Sequence, residues 1–136
     1  MKQYVFEVFE AISKAKTQQE KVQILKDHNH HAVRDVIRGS MDPRVTWNLP
    51  AGTPPYTPCK PENAPTNLYR ANTKFAYFVK GGRGDSLPAF KRESIFISLL
   101  EGVHPKDAEL LINMVQKKSI KGVTKKVVDE AFPGLL

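Results

Sequence analysis

Five lysines fall between positions 117 and 126 in the stretch "KKSIKGVTKK", with no acid among them. Gly122 sits inside this run and Thr124 follows two residues later. These residue types suit anion binding rather than bond-making. Glycine adopts the positive φ that a tight helix–helix turn requires. Thr124 is then placed as the N-cap of a following helix, whose first N–H groups point out of the turn. A phosphate oxygen there would meet backbone donors, a hydroxyl and several cations at once. The expected phosphate contacts are Lys118, Lys121, Gly122, Thr124, Lys125 and Lys126. The same residues also describe an ordinary helical hairpin on a basic surface, and at this level both readings stay open.

A second cationic group, Lys80, Arg83, Lys91 and Arg92, flanks the stretch "KGGRGDS". It is expected to form a basic patch on the same face as the terminal turn. Arg83-Gly84-Asp85 resembles an integrin-recognition tripeptide, but a glycine-rich turn between two helices explains it. The stretch lacks the trailing Lys-Ser/Thr of a phosphate-binding NTPase loop, so no nucleotide site is read there. His28, His30 and His31 have no carboxylate or thiol placed beside them, and solvated histidines are expected rather than a metal. Cys59 is the single cysteine and has no partner for an internal disulfide. No Ser/His/Asp or Cys/His arrangement is present, and the acids are too scattered to nominate a catalytic pair. The expectation is a non-catalytic chain with no cofactor and no small-molecule substrate.

The totals fit an anionic partner. With 21 basic and 14 acidic residues the formal charge is +7, and nucleic acid is the commonest anionic partner of a basic soluble domain. The excess is local. Residues 66–93 carry six basic and two acidic side chains, and five of the six lysines in 101–136 lie in the terminal turn. At 136 residues the chain is read as one domain, 1–136, long enough to bury a core without metals or disulfides. No apolar run approaches a membrane span. The opening "MKQYVFEVFE" is broken by Glu7 and Glu10 and does not read as a signal peptide. A cytoplasmic location is expected.

Helices account for the positioning. Val5, Val8, Phe9 and Ile12 share one face of a helix over about 2–14. Thr17 and Glu20 have capping-box spacing for a second helix, to about Asp27, carrying Val22, Ile24 and Leu25. Val33, Val36 and Ile37 mark a short third helix with Gly39 as its C-cap. Residues 50–65 hold six of the ten prolines and predict an extended loop, held to the surface by Trp47, Leu49 and Tyr56. Leu68, Ala71, Phe75 and Phe78 or Val79 line a fourth helix that stops at Gly81-Gly82. The fifth begins near Pro88, with Phe90, Ile97 and Leu100 inward, and closes at Gly102. The sixth starts at Pro105, with Asp107 and Glu109 in its first turns and Lys117 and Lys118 at its end, an order that complements the helix dipole. A last helix runs from about Thr124 to before Pro133. The fold class is all-α: a compact bundle of about six or seven short helices with a Pro-rich loop.

The closing stretch "DAELLINMVQKKSIKGVTKKVVDEAFPGLL" resembles the end of the N-terminal DNA-binding domain of ATP-dependent DNA ligases, most closely the T-even phage type. Lys117 and Lys118 precede the turn, Ile120 is its apolar residue, Gly122 its glycine, and Thr124 stands for the family's serine. Phe132-Pro133-Gly134-Leu135-Leu136 is similar to the family's closing Trp-Pro-Gly-Leu-Ile. "SKAKTQQEKVQILKDHNHHAVRDVIRGSMDPRV" resembles the first two helices of the same domain. The Pro-rich loop and "KGGRGDS" have no counterpart in that pattern. The chain as a whole also resembles small uncharacterised proteins of T-even-like phages of cyanobacteria. The ligase resemblance implies a grip on the backbone of double-stranded DNA, intact or nicked, without the catalytic domain, since no Lys-x-Asp-Gly nucleophile motif is present. Its two basic patches are expected to cover about four to six phosphates, in the host cytoplasm if the chain is phage-encoded. The reading from a different class is an adaptor or virion protein that binds a host or phage protein.

Overall fold

The computed structural model describes residues 3–50 and 52–136. Its α-helices are α1 (Val5–Lys14), α2 (Gln18–Asp27), α3 (His31–Met41), α4 (Leu68–Ala71), α5 (Ala89–Gly102), α6 (Pro105–Val115) and α7 (Lys125–Ala131). Three 3-10 turns, Pro61–Asn63, Asn72–Tyr77 and Arg83–Ser86, complete the elements. Among the described residues there is no strand, only an isolated antiparallel bridge between Trp47 and Val79. The architecture is the all-α bundle that the periodicity predicts. Lys2, the first position of the predicted first helix, and Ala51 of the Pro-rich loop lie outside the described residues. No helix among the described residues is long and apolar enough to cross a membrane.

The bundle is organised around α6, which packs against α1, α3 and α5, while α2 bridges α1 and α7. α1 buries the face expected of it, Val5, Val8, Phe9 and Ile12. α2 begins at Thr17, whose hydroxyl accepts from Glu20 N at 3.2 Å. The reciprocal half of the capping box falls one residue early: Glu20 Oε2 accepts from Lys16 N at 3.2 Å. The Pro-rich loop crosses the surface, interrupted by the single turn Pro61–Asn63. It is pinned where Thr57 N donates to Glu101 Oε2 at 2.8 Å and Cys59 Sγ to Val103 O at 3.0 Å. Trp47, Leu49 and Tyr56 are half-buried against the core, as expected.

Three elements depart from the sequence reading. Gly39 is not a C-cap. α3 continues to Met41 with Asp42 as its cap, and Gly39 is buried beneath Trp47, whose indole Nε1 donates to Gly39 O at 3.0 Å. A Cβ at position 39 would lie 2.6 Å from Trp47 Cζ2 and 2.8 Å from Met114 Sδ. The glycine is there for a close approach, and Gly39→Ala is expected to cost about 1–3 kcal/mol through overpacking. The measurement is the urea midpoint at unchanged m-value; an unshifted midpoint contradicts the assignment.

The predicted fourth helix is α-helical only over Leu68–Ala71 and then tightens into the 3-10 turn Asn72–Tyr77. Its apolar positions, Leu68, Ala71, Phe75 and Phe78, are all buried. Their mean spacing of about 3.3 residues lies between the two helix types. In α5 the inner face is rotated. Arg92, Phe96, Leu99 and Leu100 are buried, Ile97 is half-buried, and Phe90, expected inward, is 74% exposed. The cause is Arg92, an inward-facing cation that a reading by apolar spacing assigns to the surface.

Candidate nucleic-acid interface

The terminal turn is held from three sides. Past the end of α6, Lys117 takes a positive φ of 59°, and its Nζ donates to Asp42 O at 2.8 Å, beyond the end of α3. Burial pushes the Lys117 ammonium below its usual pKa, so this lysine is a tether. Gly122 has φ 82° and lies against the end of α1, where a Cβ would come 3.1 Å from Ser13 Cα. Conformation and close approach both require glycine at this position. Thr124 caps α7 as expected, its hydroxyl accepting from Val127 N at 3.3 Å. α7 is fastened to α2 by Gln18 Nε2 donating to Glu130 Oε1 at 2.7 Å.

On this frame Lys118, Lys121, Lys125 and Lys126 are exposed. Lys125 Nζ pairs with Asp129 Oδ2 at 2.8 Å. The ammonium groups of Lys118, Lys121 and Lys126 make no hydrogen bond or ion pair with any described residue. The helix start offers less than the sequence implies. Val127 N and Val128 N are taken by the Thr124 hydroxyl and carbonyl, and α7 is only seven residues long. What the turn presents to an anion is chiefly three unpaired ammonium groups.

The second group divides. Lys80 and Lys91 are exposed. The Arg83 guanidinium sits 5.0 Å from the centroid of the Tyr77 ring. Arg92 is not part of a surface patch: it donates through Nε to Asn48 O at 3.0 Å and through NH1 to Gly84 O at 3.0 Å and Leu87 O at 2.8 Å. Three backbone carbonyls take its Nε and NH1 donors and the residue is 9% exposed, so it is held within the fold rather than presented on the surface. The Arg-Gly-Asp tripeptide is folded into the turn. A Cβ on Gly84 would lie 1.8 Å from Tyr77 O, and Asp85 Oδ2 accepts from Gly81 N at 2.7 Å. This turn rests on the Asn72–Tyr77 segment, whereas the lysine turn rests on α1 and the end of α3.

The three histidines are engaged locally. His28 Nδ1 lies 2.9 Å from Ile24 O, so that nitrogen carries the proton. His30 Nδ1 accepts from Ala32 N at 3.0 Å and caps α3. His31 Nδ1 lies 3.0 Å from Arg34 NH2. Among the described residues no three His, Cys, Asp or Glu side chains are grouped to hold a metal.

Two features escaped the sequence reading. One is a groove of about 640 Å³ between α3 and residues 69–79, lined by His30, His31, Asp35, Arg38, Trp47, Tyr69, Asn72, Phe75 and Val79 among others. Its walls come from segments more than thirty positions apart; the only local hint was the lone tryptophan. The other is Asp107, which stands in the first turn of α6 as read but is fully buried. Its Oδ1 accepts from Phe6 N at 2.9 Å, capping the start of α1 from across the bundle, and its Oδ2 is buried without a partner.

Among known families, one described as a family of unknown function, DUF6433, matches residues 8–121. No curated protein and no solved structure matches. The matched stretch contains every residue of the groove and ends at Lys121, one residue before Gly122.

Proposed function

The chain belongs to the DUF6433 family of unknown function, and from that premise we propose that it is a non-catalytic DNA-binding protein that grips the duplex backbone with little sequence preference. The observation that carries this reading is the turn 117–126, where Lys118, Lys121 and Lys126 are exposed and unpaired around a glycine that fixes the backbone. Contacts of that kind position a protein on phosphates without reading bases. The resemblance of the same stretch to the DNA-binding domain of T-even-type ligases points to the same partner and to tolerance of a nick. It also favours action in the cytoplasm of a phage-infected host. Lys80, Arg83 and Lys91 supply further cations. Arg92 and Lys125 are left out of the contact set because the fold already engages them.

The protein-partner reading is favoured by one observation, the 74% exposure of Phe90 at the start of α5. A direct comparison separates the two. The chain and its Lys118→Glu/Lys121→Glu/Lys126→Glu variant are titrated with nicked, intact and single-stranded DNA at two salt concentrations. Three reversed charges at three phosphates are expected to lower duplex affinity at least a hundredfold at low salt, with the helical circular dichroism unchanged. Equal affinity of the two proteins removes the turn from the interface. No duplex binding by either at low salt transfers the reading to a protein partner, with Phe90→Ser as the variant expected to lose it.

A further inference from the structure

The groove between α3 and residues 69–79 takes no part in the lysine turn. Its apolar side holds Trp47, Phe75 and Val79, with the Trp47 and Phe75 rings edge to face at 6.3 Å. Its polar side sets Asp35, Asn72 and Arg38 beside His30, His31, Tyr69 and Thr73. Asn72 is 7% exposed, and its Nδ2 donates to Asp35 Oδ2 at 2.8 Å. That bond leaves Asn72 Oδ1 and Asp35 Oδ1, two neighbouring acceptors on the groove wall, with no donor among the described residues. Arg38, one helical turn beyond Asp35, is exposed, and its guanidinium makes no hydrogen bond or ion pair with a described residue.

An apolar slot beside two acceptors and a cation selects a flat ring with N–H donors on its edge and an anion attached beyond it. Amino-bearing nucleobases have that edge, and their phosphate supplies the anion. A base inside a duplex cannot reach such a slot; an unpaired one can, at an unstacking cost that is least at bulges and mismatches. We propose that the groove takes one unpaired amino-bearing base of DNA, with Asp35 and Asn72 accepting from its N–H edge and Arg38 meeting its phosphate. This extends the DNA-binding reading above, on which its choice of occupant rests, from the backbone to a single base outside the stack.

Trp47 is the only tryptophan; it lines this groove and also the pocket it shares with Asp42 and Lys117, so the Asp35→Asn and Arg38→Gln variants assign a response to the groove. The probes are the four deoxynucleoside monophosphates, a duplex with one bulged cytosine, and the same duplex fully paired. Deoxyadenosine, deoxycytidine and deoxyguanosine monophosphates, all amino-bearing, are expected to change the Trp47 signal with dissociation constants on the order of 0.1 mM. Thymidine monophosphate, which lacks the amino group, is expected to bind about tenfold more weakly. The bulged duplex changes the signal and the paired one does not. Asp35→Asn weakens the amino-bearing nucleotides about tenfold. Arg38→Gln, at an exposed and unpartnered site, weakens monophosphates but not nucleosides, which keeps the test decisive should Asp35→Asn fail to fold.

A Trp47 signal indifferent to all these probes, or equal for thymidine, overturns the proposal. A response to free monophosphates without one to the bulge overturns DNA as the occupant. Duplex affinity, read separately from the anisotropy of a labelled DNA, keeps the two readings apart. Duplex binding with a silent Trp47 overturns the groove alone. A responsive Trp47 without salt-sensitive duplex binding overturns the backbone reading alone.

Discussion

Arg92→Ala is expected to destabilise the fold by about 3–5 kcal/mol, the largest effect of any basic residue replaced. The side chain is 9% exposed. Its three bonds tie α5 to the carbonyls of Asn48, Gly84 and Leu87, and so join the approach to the Pro-rich loop with the glycine-rich turn. Each is charge-assisted, and the carbonyls of Asn48 and Leu87 lose this donor when the guanidinium goes, while Gly84 O keeps the bond from Leu87 N. Arg92→Lys keeps the charge but cannot fork toward three acceptors, and is expected to recover less than half of the loss. Urea unfolding of both variants decides the matter. An Arg92→Lys protein as stable as the parent would mean that charge, not the bond geometry, is what position 92 supplies.

Asp107→Asn is expected to abolish a stability change of about 2 kcal/mol between pH 4 and pH 6. Burial pushes the Asp107 carboxyl up to about 6, opposed by the bond from Phe6 N and assisted by Glu7 nearby. The folded chain therefore holds this proton more tightly than the unfolded chain does. The group's stabilising contribution is complete below its unfolded value, near 3.8, and is lost as pH rises through about 6. Above that, folding keeps a carboxylate buried with Oδ2 unbonded. Asparagine accepts from Phe6 N in the same way but does not titrate, so its profile across the window is flat apart from the other acids. Asp42 contributes with the opposite sign: hydrogen bonds from Arg44 hold its carboxyl below the usual range, and its stabilisation is lost only in stronger acid. Denaturant midpoints for parent and variant across the window give the comparison, and parallel profiles contradict the assignment.

What the sequence disclosed follows from the range of its signals. The faces of α1 and α2, the extent of α7, the caps at Thr17 and Thr124, and the positive φ of Gly122 are set within one or two turns of chain, and they stand as read. Gly39, Phe90 and Arg92 were misplaced and the burial of Asp107 went unread; Gly39, Arg92 and Asp107 are each decided by a distant partner. Trp47 and Met114 close over Gly39, Asn48 draws Arg92 inward, and Phe6, on another helix, bonds to Asp107. The lysine turn was legible as composition, but the engagement of Lys117 by Asp42 O and of Lys125 by Asp129 was not wholly so. Asp129 lies at the i+4 spacing of a helical ion pair, while Asp42 is seventy-five residues from Lys117. The groove was illegible because its two acceptors, Asp35 and Asn72, become neighbours only in the folded chain.

The most direct measurement of the central claim is the slope of log affinity against log salt for an intact duplex of arbitrary sequence. Arg92 and Lys125 are engaged within the fold, so the turn itself contributes three lysines rather than the larger footprint that composition implied. Three neutralised phosphates correspond to a slope of about −2.7, or about a fortyfold loss of affinity for a fourfold rise in salt. The Lys118→Glu/Lys121→Glu/Lys126→Glu protein, which keeps Lys80, Arg83 and Lys91, is expected to show a slope shallower than the parent's by about 2.7 wherever its binding is measurable. A parent slope near zero, or a variant slope equal to the parent's, would contradict phosphate gripping by this turn.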